Sequence, residues 1–173
     1  MIKEGFNLIK KEDIDAMIDL AVNSSNEGKG GPFAAMVFNS DTGEVISMAA
    51  NSVLYDNNPI AHAEVNAIQQ ACKVLNKPHL RGYLLLTTSE PCPMCMAAIS
   101  WAYIDEWAYI ASTKTARGIG FNDVSFYKAM KNVMEMKKMH SKYIRLYRYE
   151  NEEAFEKIKN AFKSYKENNK EMY

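Results

Sequence analysis

Apolar residues recur at two spacings along the chain, and each spacing predicts a different kind of element. Spacings of three and four residues, ended by turn-forming residues, predict helices over 13–26, 62–75, 91–103, 124–139 and 152–168. Alternating or short continuous apolar runs predict strands over 33–38, 44–50, 83–88, 106–110 and 143–149. Helices that alternate with strands favour an α/β fold, a three-layer α/β/α sandwich with a mixed central sheet of about five strands.

The stretches between these elements predict one hairpin and two loops. Residues 39–43 are turn formers between the first two strands, which predicts that those strands pair as a hairpin. Residues 51–60 are rich in asparagine and end near a proline, so they predict a loop. Residues 112–122 contain two glycines and predict a loop or a broken helix.

The size and composition of the chain fit one soluble domain. Its 173 residues match the roughly 100–200 residues of a typical domain, and 47% hydrophobic with 24% charged residues is ordinary. No apolar run approaches the about 20 residues that span a bilayer, and residues 1–13 contain no signal-peptide core. We therefore expect a single domain over 1–173 that works in the cytoplasm.

Charge and cysteine content narrow the classes of function. The chain has 21 basic and 21 acidic residues, and only four of the basic residues are arginines. Because nucleic-acid binders usually carry a basic excess and use arginine to contact bases and phosphates, this balance argues against a polynucleotide substrate. Three cysteines, two of them in a Cys-x-x-Cys pair, indicate reduced thiols and a metal or redox site.

Two short stretches contain the residue types of a metal site. Cys92 and Cys95 lie at the start of one predicted helix, and His62 lies at the start of another. The spacing of three residues places both sulfurs on one helix face, and a helix N-terminus favours the thiolate form. With His62 as third ligand, the fourth tetrahedral position of a zinc ion is left for water, as in catalytic zinc sites.

Glu64 is the candidate acid–base group of this site. A bound metal lowers the pKa of water from about 15.7 to about 7. Since Glu64 follows His62 by two residues, its carboxylate can take a proton from that water and pass it to a ring nitrogen and then to a leaving amine. This arrangement predicts hydrolytic removal of an exocyclic amine from an electron-poor ring.

Other interpretations of the same residues remain open. The Cys-x-x-Cys pair is also compatible with a redox pair. A purely structural zinc would need a fourth ligand, for which His79 and His140 are candidates. Cys72 falls on the apolar face of its predicted helix and is expected in the core. A fold that keeps zinc only for stability or for partner binding is the alternative outside enzymes.

The pattern His-x-Glu followed by Pro-Cys-x-x-Cys matches the known signature of zinc nucleobase deaminases. On these motifs the chain resembles the cytidine deaminase-like superfamily, and within it the bacterial guanine deaminases more than the tRNA adenosine deaminases. The resemblance extends over almost the whole chain, through the stretches 31–33, 51, 62–68, 88–95, 98–102 and 120–127 and the final Tyr173.

The resemblance implies a role for each matching residue. Metal ligands would be His62, Cys92 and Cys95, holding one Zn²⁺ per subunit, and Glu64 would be the proton shuttle. Substrate contacts would come from Phe33, Asn51, Ala63, Trp101, Asp123 and Tyr173. Among these, Asn51 would hydrogen-bond the base edge, the Ala63 backbone N–H would face the purine, and Asp123 would contact purine amino or imino groups.

The resemblance also implies an assembly and a reaction. The segment of about 150–173 would cross to a partner subunit in a domain-swapped homodimer, where Tyr173 would complete the partner's site. The reaction would be zinc-dependent conversion of guanine to xanthine and ammonia. Guanosine, cytosine and tRNA adenosine are the alternative substrates, since they require the same metal chemistry and a different pocket.

Overall fold

The fold is described from a computed structural model over residues 4–104, 106–118, 120–121 and 124–134. The secondary-structure elements follow in chain order: a 3-10 turn Glu4–Leu8, α1 Lys11–Asn26, β1 Ala34–Asn39, β2 Val45–Ala50, α2 Ala63–Leu75, β3 Tyr83–Ser89, α3 Pro93–Trp101, β4 Trp107–Ala111, α4 Thr113–Gly118 and α5 Val124–Met134. None of the helices in these ranges is long and apolar enough to cross a membrane.

A mixed sheet with the strand order β2-β1-β3-β4 lies at the centre of the described residues. Strand β1 pairs antiparallel with β2, as the predicted hairpin requires, and also antiparallel with β3. Strands β3 and β4 pair in parallel, and the crossover that connects them contains α3. These four strands match four of the five predicted, while the fifth, over 143–149, lies outside the described residues.

The two faces of the sheet carry separate apolar clusters, because successive side chains of a strand point to opposite faces. On one face, Met36 and Phe38 of β1 pack with Met17 of α1. On the other face, Ala35 and Val37 pack with residues of α2 and α3. Helices therefore cover both faces, and the predicted three-layer α/β/α fold is confirmed.

Most predicted helices agree with the structure, with a correction at the start of α3. Helix α3 begins at Pro93 and not at residue 91, because Cys92 keeps an extended backbone with φ −71° and ψ 167°. Residues 112–122, predicted as a loop or a broken helix, contain the short helix α4. Of the predicted helix 124–139, α5 accounts for residues 124–134. The predicted helix 152–168 lies outside the described residues.

The chain divides into two compact units, Met1–Tyr127 and Lys128–Tyr173. The first unit holds the sheet, both apolar clusters and the site described below. Only residues 128–134 of the second unit are described, and they are helical. The single domain over 1–173 stays a prediction.

Candidate metal centre and active site

Two helix N-termini bring the candidate ligands together. His62 immediately precedes α2 and Cys92 immediately precedes α3, and both residues have extended backbones. Neither side chain caps its own helix with a hydrogen bond. Because α2 and α3 share the apolar cluster on one face of the sheet, these two side chains meet at the same end of that layer.

The distances between the three ligand atoms fit one tetrahedral ion. Cys92 Sγ lies 3.5 Å from Cys95 Sγ, and His62 Nδ1 lies 3.8 Å and 3.5 Å from the two sulfurs. With Zn–S bonds of about 2.3 Å and Zn–N bonds of about 2.0 Å, a tetrahedron has ligand–ligand edges of roughly 3.5–3.8 Å. In the described part of the chain, this is the one group of His, Cys, Asp and Glu residues suited to a metal.

The protonation of the three groups also suits a metal. The hydrogen bond between the two cysteines lowers the pKa of Cys92 to about 4, and the nearby His62 contributes to the same effect. The same hydrogen bond raises the pKa of Cys95. The hydrogen bond with Cys92 raises the pKa of His62. The site therefore holds one thiolate beside protons that a divalent cation can displace, since metal ligands bind deprotonated.

Glu64 is buried directly beside this group, in the first turn of α2. Only 6% of the residue is exposed. Its Oε2 accepts a hydrogen bond from the Cys95 thiol at 3.4 Å, and its Oε1 accepts one from Thr87 Oγ1 at 3.4 Å. Burial raises the pKa of Glu64. A buried carboxyl group with a raised pKa, next to a metal site, is suited to accept and return a proton.

A cavity of about 240 Å³ opens onto His62, Glu64 and Cys92. The other lining residues are Phe33, Asn51, Ser89, Glu90, Thr113, Ala116 and Phe121. Apolar walls with a few polar groups are typical of sites for small molecules. The arrangement can therefore hold a flat, polar-edged molecule against the metal ligands and the buried carboxyl group.

Asn51 lines this cavity and is held by three hydrogen bonds within the chain. The residue is buried, and its Oδ1 accepts a hydrogen bond from the Val53 N–H at 3.2 Å. Its backbone N–H donates to Phe33 O at 2.9 Å, and its backbone oxygen accepts from Ser24 Oγ at 3.2 Å. Because Oδ1 is used within the chain, the Nδ2 group remains for an acceptor atom of a ligand.

Five wall residues were not predicted as site residues from the sequence, namely Ser89, Glu90, Thr113, Ala116 and Phe121. The rings of Phe33 and Phe121 meet edge to face, with centroids 4.8 Å apart. At the start of α4, the Thr113 N–H donates to Glu90 Oε2 at 2.9 Å. Glu90 lies within the cysteine motif, and that position in the sequence could have identified it as a site residue. Thr113 and Phe121 approach the site only through folding, so periodicity could not identify them.

The remaining predicted site residues have separate outcomes. Ala63 is fully buried at the start of α2, next to the ligand His62. Trp101 lies at the end of α3, is 70% exposed and is not among the residues that line this cavity. Asp123 and Tyr173 lie outside the described residues. The substrate contacts of these four residues stay predictions.

The alternative fourth zinc ligands do not join the group within the described residues. His79 packs edge to face against Tyr103, with centroids 6.3 Å apart, and its Nδ1 is buried without a hydrogen-bond partner. It is not part of the metal-binding group. His140 lies outside the described residues. Cys72, predicted in the core, is partly buried and packs against the cluster on the α2 face.

Comparison with known proteins defines the class to which this fold and site belong. The family model of the cytidine and deoxycytidylate deaminase zinc-binding region matches residues 10–111, which include His62, Glu64, Cys92 and Cys95. The chain therefore belongs to this family of zinc-binding deaminases.

Individual relatives match this chain to different extents. Guanine deaminase of Bacillus subtilis is 43% identical over 111 residues, which cover 64% of this chain and 70% of that protein. The X-ray structure of guanine deaminase from Bacillus subtilis matches with a TM-score of 0.78 and 33% identity, over 95% of this chain and 99% of that one. A tRNA-specific adenosine deaminase of Aquifex aeolicus is 43% identical, but over 44% of this chain and about half (51%) of that protein.

Proposed function

We propose that the protein is a zinc-dependent guanine deaminase, which converts guanine and water to xanthine and ammonia. The observation that carries the proposal is the group of His62, Cys92 and Cys95 beside the buried Glu64, at one end of a cavity with apolar walls. The family model supplies the metal and the deaminase class. The guanine deaminase of Bacillus subtilis, which matches almost the full length of the chain in structure, supports the choice of base.

Glu64 carries the proton transfers of the proposed reaction. A zinc ion held by His62, Cys92 and Cys95 would supply a Lewis acid that lowers the pKa of a bound water to about 7. As water adds to C2 of guanine, Glu64 takes its proton and passes it to ring N3. Glu64 then moves the second proton to the exocyclic nitrogen at C2. Ammonia leaves, and the oxygen from water stays on C2 as the new carbonyl of xanthine.

The cavity supplies recognition of the base. Guanine offers acceptor atoms at O6 and N7, and the Nδ2 group of Asn51 is the buried donor that can pair with one of them. Phe33 and Phe121 offer aromatic surface for the ring system. The Ala63 backbone N–H, Trp101, Asp123 and Tyr173 are proposed as further purine contacts, on the strength of their match to the guanine deaminase pattern.

A substrate panel tests the reaction. Purified, zinc-loaded protein should release ammonia from guanine, and xanthine should appear with the change in ultraviolet absorbance of the ring. Guanosine, cytosine and a tRNA anticodon stem–loop should give less than a hundredth of that rate. Activity confined to the tRNA or to cytosine would contradict the choice of guanine while leaving the metal chemistry in place.

The variant Glu64→Gln tests the proposed proton shuttle. Because glutamine keeps the size of the side chain but cannot accept and return a proton, kcat should fall by about 10²–10⁴-fold. Zinc content, measured by atomic absorption, should stay at one ion per chain. Full turnover in Glu64→Gln would show that Glu64 is not the proton shuttle. If the wild-type protein binds zinc but turns over no base, the result would favour the alternative of a non-catalytic protein that keeps zinc for stability or partner binding.

We also propose a domain-swapped homodimer in which residues of about 150–173 reach the partner and Tyr173 covers its cavity. The proposal rests on the guanine deaminase pattern of the C-terminal segment. Removal of residues 168–173, or Tyr173→Ala, should raise KM for guanine at least tenfold, whereas Tyr173→Phe should retain the ring contact.

Co-expression distinguishes closure by the partner from closure within one chain. A dimer of Glu64→Gln with Tyr173→Ala contains one site that has both an intact Glu64 and, from the other chain, an intact Tyr173. Such a mixture should recover up to about a quarter of wild-type activity if subunits assort randomly. Activity equal to the sum of the two parent variants, or a monomeric mass in solution, would contradict the swap.

The cytoplasm is the proposed location of this activity. Cys72, Cys92 and Cys95 are all free thiols, and thiolate ligands to zinc persist where glutathione and thioredoxin keep cysteines reduced.

A further inference from the structure

The backbone at Gly30 packs directly against the side chain of Asn51. A Cβ atom at residue 30 would lie 2.0 Å from Asn51 Oδ1, 3.0 Å from Asn51 Cγ and 2.8 Å from Asn51 O. Carbon and oxygen atoms that do not bond cannot approach this closely, so any side chain at residue 30 must displace the Asn51 carboxamide.

The glycine at residue 30 is required by this contact and not by its backbone conformation. Left-handed φ values occur at Gly28, Gly43, Gly82 and Gly120, and Gly30 is not among them. The φ angle at residue 30 therefore does not exclude alanine. The atom in closest contact is the far end of the Asn51 side chain, which can rotate away, whereas Asn51 O belongs to the backbone and requires a small shift of the main chain. Substitution is thus expected to preserve the fold at a modest cost in stability while moving Asn51.

The segment that contains Gly30 is tied to the loop after β2. Lys29 O accepts hydrogen bonds from the backbone N–H groups of Leu54 and Tyr55, at 3.0 and 3.1 Å. These bonds hold residues 29–31 alongside Asn51. The carboxamide is therefore enclosed by Gly30 on one side and restrained by the Val53 N–H at its oxygen.

We propose that Gly30 is a positioning residue for substrate, which acts by holding the Asn51 carboxamide so that its N–H donor faces the cavity. A Cβ atom at residue 30 would push Oδ1 out of its bond with Val53 and move the donor away from the base. The inference rests on the proposed function for the identity of the base, but its test can be read on binding as well as on turnover.

The variant Gly30→Ala should lower kcat/KM for guanine by about 10²-fold, because a displacement of about 1 Å at a binding group has that effect. Equilibrium affinity for guanine, measured by titration calorimetry on the zinc-loaded protein, should fall in parallel. Zinc content should remain at one ion per chain, and the melting temperature should change by less than about 4 °C, equivalent to roughly 1 kcal/mol.

Gly118→Ala is the matched control. Gly118 lies exposed in α4, has no left-handed φ, and a Cβ there would meet no atom within 4 Å. This variant should keep wild-type kcat/KM and wild-type affinity.

A double-mutant cycle separates action through Asn51 from any other effect. In an Asn51→Ala background the carboxamide is already gone, so Gly30→Ala should then cost less than about twofold in kcat/KM and in affinity. The inference would be overturned if Gly30→Ala lowered kcat/KM equally in both backgrounds. Wild-type kinetics in Gly30→Ala, or failure of that variant to fold, would also overturn it. A wild-type protein that binds guanine without deaminating it would instead overturn the proposed function, and the cycle would then be read on affinity alone.

Discussion

His62 and Cys92 stand where helices usually have a capping residue. A serine, threonine or aspartate at such a position stabilises a helix by about 1 kcal/mol through a bond to the first free N–H groups. Neither residue makes that bond here. Both side chains point instead toward each other and Cys95, so a bound metal is expected to provide the stability that the helix starts lack.

Thr87 is the neighbour that orients Glu64 from the sheet. Its buried hydroxyl lies 3.2 Å from Ala34 O and 3.4 Å from Glu64 Oε1. Replacement by valine removes this hydrogen bond and keeps the side-chain shape. We expect Thr87→Val to lower kcat about fivefold, the equivalent of a hydrogen bond worth about 1 kcal/mol, as measured by steady-state ammonia release with zinc content unchanged.

Ser47→Ala provides the control for this variant. Ser47 is also a buried hydroxyl on the sheet, and it donates to Ala67 O in α2 at 2.8 Å without reaching the cavity. It should lose comparable stability and keep full turnover. Equal turnover in both variants would show that the Thr87 hydroxyl has no influence on Glu64.

The small residues of α2 determine how closely the metal ligands approach the sheet. Ala63, Ala67 and Ala71 are each fully buried and repeat every four residues along one face of the helix. This face packs into the same cluster as Val37 and Leu85 of the sheet. Alanines at these positions allow the helix axis to lie near the strands, which places Glu64 within reach of Thr87 at the carboxyl end of β3.

Three residues that follow β4 form part of the cavity wall, namely Thr113, Ala116 and Phe121. They are attached to the cysteine loop by the Glu90–Thr113 hydrogen bond and to Phe33 through the ring of Phe121. Tyr127 adds a third attachment, since its hydroxyl donates to Pro91 O at 2.9 Å. The cavity is thus built around the cysteine loop, with walls from elements distant in sequence.

Metal binding is expected to affect the whole protein, because the ligands join α2 to α3. A ligand present at a thousandfold excess over its Kd stabilises by about 4 kcal/mol. Removal of zinc with a chelator should therefore lower the melting temperature on the order of 10 °C. A Cys92→Ser variant should melt at the lower temperature with or without chelator. An unchanged wild-type melting temperature after removal of the metal would contradict a structural contribution.

Thiol labelling gives an independent measure of the removal of zinc. Of the three cysteines, Cys72 should react with or without metal, though slowly, because burial raises the pKa of its thiol. Cys92, whose pKa is lowered, should become reactive only after the chelator is added, whereas the fully buried Cys95, whose pKa is raised, should react slowly even then.

Element types and the candidate ligands could be predicted from the sequence because both are local signals. Hydrophobic spacing indicates a helix or a strand within about ten residues, and His62, Glu64, Cys92 and Cys95 lie in two short motifs. Helix α4 was predicted only as one of two options, a loop or a broken helix, because its six residues bury no side chain and no apolar stripe marks it. The start of α3 was placed too early because proline is compatible with several positions at a helix start.

Residue type and short spacing were enough to predict the α/β class, the three candidate metal ligands and the carboxyl group beside them. The folded chain was needed to show that the ligand atoms lie 3.5–3.8 Å apart, that the Asn51 oxygen is already bonded to Val53, and that Gly30 packs on the Asn51 carboxamide. These contacts join residues that are far apart along the chain or depend on atomic distances, and such relations arise from packing, which hydrophobic spacing does not specify.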